Sequence, residues 1–543
     1  MIRSYQLHIK GDGAGNARLQ ESASPFKNSY QLFFGEECGT ITELKVIFEF
    51  LFPIVLWRNH DYRWVDVSRR RLANFHSPKA LMLKNGQKVV AGETTGLWEY
   101  DPKHPKRLTW IVADKWLSPM FRYDEKDKKH FVEPEFVPEE PMTFSLLFTK
   151  GQIPEFSRSR VPFSAILNFS DHCDFDSLEL MELQRGLFKK CQIRVSKGAF
   201  LFHHSKRAFN VSVEHNSDEL QLWKEDGHEL CYHSLSQSIR PDKGWQADFE
   251  AFENAGHRWP TWIDHAFQPY NLTKMASSGY DSEDWARRMQ AAGIHYLWNY
   301  LDAGHSGKGV VNQLDVSQFS LRSYVRNALK TINPASLTSL LRTYILYFSD
   351  ESSRQNYSML VNNLRRKLWM KSLEGASGLV LGLLFLLGRL LRMLLDTSKR
   401  EVLPEWQKYA ATFFPVNLEK SDFWVFQTVE VHDFIRTFSE ENLKLLTASS
   451  GICLAHTYFA DDDLQKQGRM FFNKAGIWMP GIEETFQRIG NLAAKGELWL
   501  ASIAEIAEYF DTFQHLRFDV DDRGNISHYM EKTGLAIEVR YVE

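Results

Sequence analysis

The spacing of apolar and polar residues changes character near residue 161. Before it, short apolar runs such as 30–34 and 144–148 are separated by glycine, proline and clusters of charge. Runs of this kind predict strands rather than helices. We therefore expect residues 1–160 to form a β-rich accessory domain.

From residue 161 onward, short strand-like runs alternate with helical stretches. About eight such strands are predicted, at 165–170, 191–195, 228–232, 261–263, 295–299, 423–428, 451–455 and 497–500. Alternation of this kind predicts a parallel sheet with helices outside it. The predicted fold class is α/β, with a distorted (β/α) barrel in two parts, 161–315 and 411–515, around a helical insertion at 316–410. Residues 516–543 are expected to form a C-terminal β-hairpin.

Polar residues recur where these predicted strands end. They are Asp171, His172, Asp174, His233, Asp264, His265 and His456. Because the carboxyl ends of parallel strands meet on one side of a barrel, residues far apart in the chain are expected to share one site there.

The segment 168–176 holds three carboxylates and one imidazole directly after an apolar run. Such groups are costly to bury without partners, and zinc accepts both histidine nitrogen and aspartate oxygen. This favours Zn²⁺ or another divalent metal held by the histidine and an aspartate of this segment, with a second carboxylate as a general base. The alternative is a polar loop in which Asp176 and Ser177 cap the next helix.

Three further positions extend this hypothesis. His233 follows a glycine turn and a short strand, which favours a ligand over a hydrogen-bonded loop histidine. His265 adds a ligand or one half of a base–orienter pair, although a structural loop fits equally. His456 is placed to protonate a leaving group.

Aromatic residues make up 14% of the chain, including 16 tryptophans, and aromatic faces suit sugar rings. Trp262 and Asp264, Trp298 and Tyr458 are the predicted substrate contacts. Core packing is the alternative for the aromatic members.

Bulk composition excludes several function classes. A net charge of −3 gives no basic field for nucleic acid. Five scattered cysteines without a CxxC spacing argue against a disulfide framework and a cysteine zinc site. The first residues lack the apolar core of a signal peptide, so a cytoplasmic setting is expected.

The insertion contains an uncharged apolar run at 378–388 that Arg389 and Arg392 follow. The run is too short for a spanning helix, which needs about 20 apolar residues. An apolar helix with a basic flank favours a peripheral contact of 376–395 with the inner face of a membrane. An oligomer contact and a buried core helix are the alternatives.

Taken in order, these motifs resemble those of the NodB-like polysaccharide deacetylases, carbohydrate esterase family 4, over about 161–305 and 421–511. The closest motif is Gly227-His-Glu-Leu-Cys-Tyr-His233-Ser234, and 169–172 and 451–456 match more loosely. The second ligand histidine of the family falls on Gln237, and His172 stands where a ligand aspartate is expected. The resemblance then gives the metal role of that aspartate to Asp174 or Asp176, and leaves His172 or His265 to restore the ligand count.

The resemblance implies a NodB-type barrel, a zinc ion and hydrolysis of an acetyl group. Asp171 would take the proton of the attacking water, and His456 would protonate the departing amine. The implied substrate is an N-acetylated glycan of a cell-surface polysaccharide or its lipid-linked precursor. The alternatives are a non-catalytic sugar-binding or scaffold relative and a glycoside hydrolase on a similar barrel.

Overall fold

The computed structural model describes the chain except residues 13–16, 36–38, 68–70, 74, 124–128, 133–135, 137–140, 207–210, 239–243, 267, 274–281, 301, 303, 306–308, 331–343, most of 346–402, 419–420, 432 and 462–478. More than half of the predicted membrane segment 376–395 therefore lies outside the described residues. Within the described part of the chain, no helix combines the length and the apolar character that crossing a membrane requires.

The first part of the chain is built from antiparallel strands. In chain order they are β1 Ile2–Gly11, β2 Arg18–Ser24, β3 Lys27–Phe33, β4 Ile41–Phe50, β5 Ile54–Arg58, β6 Trp64–Asp66, β7 Leu72–Ala73, β8 Ala80–Leu83, β9 Lys88–Ala91, β10 Leu97–Tyr100, β11 Arg107–Ala113, β12 Phe121–Tyr123, β13 Lys129–Phe131, β14 Met142–Thr149 and β15 Ile153–Phe156. Two sheets, β1-β4-β11-β10-β7 and β2-β3-β14-β9-β8-β5-β6, share one apolar core. In β4 the fully buried side chains alternate with partly exposed ones, as a strand with one face toward a core requires.

A mixed sheet of eleven strands follows, in the order β21-β24-β25-β16-β17-β18-β19-β20-β23-β22, with β26 beside β16. Its strands are β16 Ala165–Asp171, β17 Ser196–Ala199, β18 Glu229–His233, β19 Thr261–Ile263, β20 Tyr296–Trp298, β21 Gly304–His305, β22 Phe413–Leu418, β23 Ser421–Phe426, β24 Val429–Glu430, β25 Ile452–Thr457 and β26 Leu498–Leu500. All of its pairings are parallel except that of the edge strand β22 with β23.

Helices cover this sheet. They are α1 Leu178–Cys191, α2 Val213–Glu225, α3 Gly244–Asn254, α4 Ser282–Ala291, α5 Leu321–Lys330, α6 Phe434–Thr437, α7 Glu440–Ala448, α8 Ile482–Ala494 and α9 Ile503–Thr512. Helix α1 shows why they form where they do. Ser177 caps its first turn, and Met181, Leu187 and Phe188 recur on one buried face at helical spacing.

The last strands return to the antiparallel region. They are β27 Leu516–Val520, β28 Ile526–Met530 and β29 Val539–Val542. Strands β27 and β28 form a hairpin, and β29 pairs with β15. The Phe518 amide donates to the Gly92 carbonyl at 2.8 Å, so the hairpin is hydrogen-bonded to the N-terminal sheets.

The predicted fold class, an α/β chain on a distorted (β/α) barrel of NodB type, is wrong. Strand outweighs helix in the structure, the N-terminal sheets are antiparallel, and the parallel strands form a half-barrel within a mixed sheet. The alternation of strands and helices after residue 161 predicts a distorted barrel, whereas the parallel strands form only a half-barrel. Several of the parallel strands have only two to four residues, too few for the sequence to indicate how far the sheet curves.

Candidate active site at the carboxyl end of the parallel strands

The parallel register brings the polar residues at the strand ends together. His172 directly follows β16, His233 ends β18, His265 lies two residues beyond β19, and His456 lies in β25 opposite Ser170. Ligand sites of α/β sheets form at this end of the strands.

Four of these residues form what we call the histidine–aspartate cluster: His172, Asp174, His233 and His265. Asp174 Oδ2 lies 2.8 Å from His233 Nε2, and Asp174 Oδ1 lies 3.1 Å from His265 Nδ1. His265 Nδ1 is in turn 3.2 Å from His233 Nε2. One candidate ligand atom each from His172, Asp174 and His233 lies within 4.8 Å of the other two.

The outer nitrogens of two of these histidines face backbone carbonyls. His265 Nε2 is 2.9 Å from the Gln237 carbonyl oxygen, and His233 Nδ1 is 3.4 Å from that of Ile263. A ring N–H that donates outward leaves the lone pair of the inner nitrogen directed toward Asp174. These lone pairs need a positive charge between them, which a proton or a metal ion would supply.

His172 is the least satisfied member of the cluster. Its side chain is buried, and neither ring nitrogen has a hydrogen-bond partner among the described residues. Burial lowers its pKa well below the usual range, and the neighbouring His456 and His233 lower it further. A neutral, buried and unpartnered imidazole is costly for a fold and has the protonation state of a metal ligand.

The electrostatics of the other members agree with a ligand set. Burial alone would raise the pKa of Asp174, but His265 and His233 hold it well below its usual range, so the carboxylate is ionised. Burial lowers the pKa of His233, and Asp174 opposes that effect. Gly198 permits the close approach of strands here, because a Cβ atom on it would lie 3.3 Å from His233 Cβ.

His456 forms a dyad with Asp302, a residue that sequence reasoning did not select as a site residue. His456 Nδ1 lies 3.1 Å from both oxygens of Asp302. Thr428 Oγ1 donates to Asp302 at 2.7 Å and accepts from Trp298 Nε1 at 2.8 Å. His456 Nε2 has no hydrogen-bond partner in the described part of the chain. The available signal was a carboxylate three residues beyond the predicted strand 295–299.

Asp171 is the last residue of β16, and its carboxylate belongs to a closed ion-pair network. We call Asp171, Lys197 and Asp176 the Lys197 triad; the Lys197 and Asp171 side chains are 0% exposed and in direct contact. Lys197 Nζ also donates to Asp176 at 2.6 Å. Burial raises the pKa of Asp171 to about 6, while Lys197 opposes the rise. Sequence reasoning missed Lys197, which it placed outside any strand.

The predicted substrate contacts fall into two groups. Trp298 and Tyr458 pack at 5.0 and 5.2 Å from the His172 ring, measured between ring centroids. Trp262 is buried and its Nε1 donates to Asp264 at 2.9 Å. Asp264 also accepts from two backbone amides of its own loop, at 3.0 and 2.9 Å. A substrate role for any of these four remains a prediction.

The chain matches no family model, and a search of curated proteins finds no match either. A GH31 dextranase of Flavobacterium johnsoniae complexed with isomaltotriose is similar at 8% identity and a TM-score of 0.22, over 52% of this chain and 39% of that one. The same dextranase with glucose gives 8% and 0.22 over 54% and 39%.

A glycoside hydrolase family 97 enzyme of Pseudoalteromonas sp. strain K8, complexed with acarbose, is similar at 8% identity and a TM-score of 0.22, over 55% of this chain and 58% of that one. The matched region is less than two thirds of each neighbour's length. TM-scores at this level carry no conclusion about fold or activity.

Proposed function

We propose that the protein is a metal-dependent hydrolase that removes acyl groups, N-acetyl first among them, from sugars of a polysaccharide or its lipid-linked precursor. One observation carries the proposal. Lone pairs of Asp174, His233 and His265 converge beside His172, whose two nitrogens are buried without partners. A shared proton would satisfy only one pair of these atoms, whereas a divalent cation accepts all of them.

The residues present fit a metal such as Zn²⁺. His172, Asp174 and His233 would hold it, with His265 as a further ligand or as a support for Asp174. When bound, the metal would polarise an acyl carbonyl and a water molecule. Asp302 holds the His456 ring through Nδ1 and leaves Nε2 without a partner among the described residues, so Nε2 would be the atom that moves a proton to the leaving atom. Trp298 and Tyr458 offer ring faces to a sugar.

A glycoside hydrolase is the competing candidate with the same substrate class. It requires a pair of carboxylates about 5–10 Å apart, one of them free to protonate the leaving oxygen. The described carboxylates at this end all have partners already: Asp171 and Asp176 with Lys197, Asp174 with two histidines, Asp264 with its loop, and Asp302 with His456. This is why we favour the metal-dependent reaction.

Zinc titration by calorimetry tests the metal site. We expect one ion per chain, and an affinity at least 100-fold weaker in His172→Ala or His233→Ala. His228→Gln is the matched control, since His228 is also a buried histidine and precedes the opposite end of β18. The proposal fails if wild type binds no divalent metal, or if the control loses affinity equally.

A product assay separates the candidate activities. Zinc-loaded protein is incubated with N-acetylglucosamine oligomers, and released acetate and new reducing ends are measured. Acetate without chain cleavage supports the deacetylase. New reducing ends that survive metal removal support the glycoside hydrolase. Metal binding without either product, but with retention of the oligomers, indicates the sugar-binding relative.

We also propose that 376–395 contacts an anionic membrane surface. Among its described residues, Val380, Leu381 and Leu384 are 54%, 67% and 63% exposed, and Arg389 and Arg392 follow in the sequence. Flotation with phosphatidylserine vesicles should fall at least threefold in Leu381→Ser/Leu384→Ser. Leu445→Ser, at a site 58% exposed on α7, is the control. Equal flotation of all three proteins would contradict the contact.

A further inference from the structure

The Lys197 triad satisfies every oxygen of its two carboxylates. Lys197 Nζ contacts one oxygen of each aspartate. Gln184 Nε2 donates to the other oxygen of Asp176 at 2.7 Å. The remaining oxygen of Asp171 accepts from Thr457 Oγ1 at 3.0 Å and from the Phe459 amide at 2.9 Å.

A general base must have a lone pair within hydrogen-bond reach of the proton that it removes. Both oxygens of Asp171 are already engaged, and the residue is 0% exposed. The carboxylate that was expected from sequence to activate water is therefore engaged by protein donors at both oxygens and closed to solvent.

The contacts of Asp171 instead connect two strand ends of the site. Thr457 and Phe459 flank the carboxyl end of β25, next to His456. In the other direction, the His172 amide donates to the Thr457 carbonyl at 3.0 Å. Asp171 thus fixes the end of β25 against the end of β16, and with it the separation of the His172 and His456 rings, whose centroids are 4.1 Å apart.

We propose that Asp171 is a positioning residue, clamped by the buried ammonium group of Lys197, and that His456 with Asp302 handles the proton in both halves of the hydrolysis. His456 Nε2 accepts the proton of the water as its oxygen bonds to the acyl carbon. It returns that proton to the leaving nitrogen or oxygen as the acyl bond breaks. This second part rests on the proposed function; the positioning role of Asp171 does not.

A charge-conserving pair of substitutions tests the inference: Asp171→Asn together with Lys197→Gln. The new amide oxygen at 171 still accepts from Thr457 and Phe459. The two new amides hydrogen-bond to each other, and the one at 197 still donates to Asp176. An amide cannot act as a base, so a catalytic Asp171 predicts a loss of at least 100-fold in kcat. A positioning Asp171 predicts a loss below tenfold with KM unchanged.

Asp171→Ala supplies the contrast, because it removes the link to β25. We expect kcat to fall at least 30-fold and zinc affinity at least tenfold in Asp171→Ala, with affinity kept in the double variant. The inference is overturned if the folded double variant loses activity as fully as Asp171→Ala does. It is also overturned if Asp171→Ala binds zinc as wild type does.

The positioning role of Asp171 can still be tested if the protein shows no hydrolase activity or if the double variant does not fold. If no hydrolase activity is found, the proposed function fails, and zinc affinity alone judges the positioning role. If the double variant does not fold, Thr457→Val replaces it, since it removes one of the two bonds from β25 to Asp171. A two- to tenfold fall in zinc affinity supports the link, and an unchanged affinity contradicts it.

Discussion

Two buried charged clusters lie side by side at the end of β16, and they differ in what completes them. In the Lys197 triad the chain provides its own cation, and each carboxylate oxygen meets a donor. In the histidine–aspartate cluster, Asp174 pairs with His233 and His265, and His172 meets no donor or acceptor among the described residues. Buried polar groups without partners are uncommon in folded proteins and frequent at functional sites. We interpret the first cluster as a structural ion pair and propose the second as the ligand site.

The largest effect is expected when the Lys197 triad loses its cation. Lys197→Met leaves two buried carboxylates without a cation, so we expect a loss of about 3–5 kcal/mol in the free energy of unfolding. Urea denaturation measures it. Lys189→Met, at an exposed lysine paired with Asp226, should cost less than about 1 kcal/mol. A similar loss in the free energy of unfolding in the two variants would mean that the Lys197 triad stabilises the fold no more than a surface ion pair does.

The next largest effect is expected from the dyad of His456 and Asp302. Asp302→Asn removes the carboxylate that holds His456 Nδ1, so the ring no longer keeps one tautomer and one orientation. We expect kcat for acyl release to fall about 10–100-fold, while zinc affinity stays within threefold. Asp422→Asn, at an exposed aspartate at the start of β23, is the control. An unchanged kcat would separate Asp302 from the reaction.

The sequence indicated which polar residues lie close together better than it indicated the fold, and a function for those residues stays a prediction. His172, Asp174, His233 and His265 were found because each follows an apolar run that ends in a parallel strand, and strand ends converge. The overall class was wrong because hydrophobic patterns predict individual strands but not which strands pair. The same pattern fits a closed barrel and a half-barrel with an antiparallel edge.

Lys197 shows what sequence reasoning could not reach. Strand β17 has the sequence Ser-Lys-Gly-Ala, without the β-branched and aromatic residues that favour strands, and the prediction placed the strand at 191–195 instead. A lysine there predicts an exposed position. Contacts with residues distant in sequence stabilise its burial, chiefly the ion pairs with Asp171 and Asp176 and also a hydrogen bond to Gln184.

The pH dependence of stability tests whether His172 of the histidine–aspartate cluster is neutral in the native protein. The native protein keeps His172 neutral because its pKa is lowered well below 6.5, chiefly by burial. The unfolded chain binds a proton there near pH 6.5, so the native state loses stability as pH falls below that value. In metal-free protein, the stability of wild type relative to His172→Phe should fall by up to about 1.4 kcal/mol per pH unit between pH 6.5 and 4.5.

Equilibrium unfolding of both proteins in urea at several pH values measures this difference, in which most other titrating groups cancel. A difference that does not change with pH would mean that His172 binds a proton in the native state. The cluster would then be satisfied by protons, and the argument for a metal would lose its main support.

The smallest effect is expected from removing the cap of α1. This change tests whether the two clusters keep their geometry when the first turn of α1 is weakened. Ser177 Oγ accepts from the Leu180 amide at 3.3 Å and caps the helix that starts directly after both clusters. Ser177→Ala should cost about 1 kcal/mol, as should Ser439→Ala, the matched cap of α7. Because Lys197 and Gln184 hold Asp176 directly, zinc affinity should stay within twofold in both variants. A tenfold weakening in Ser177→Ala alone would show that the helix cap, rather than the triad, orients the loop that carries Asp174.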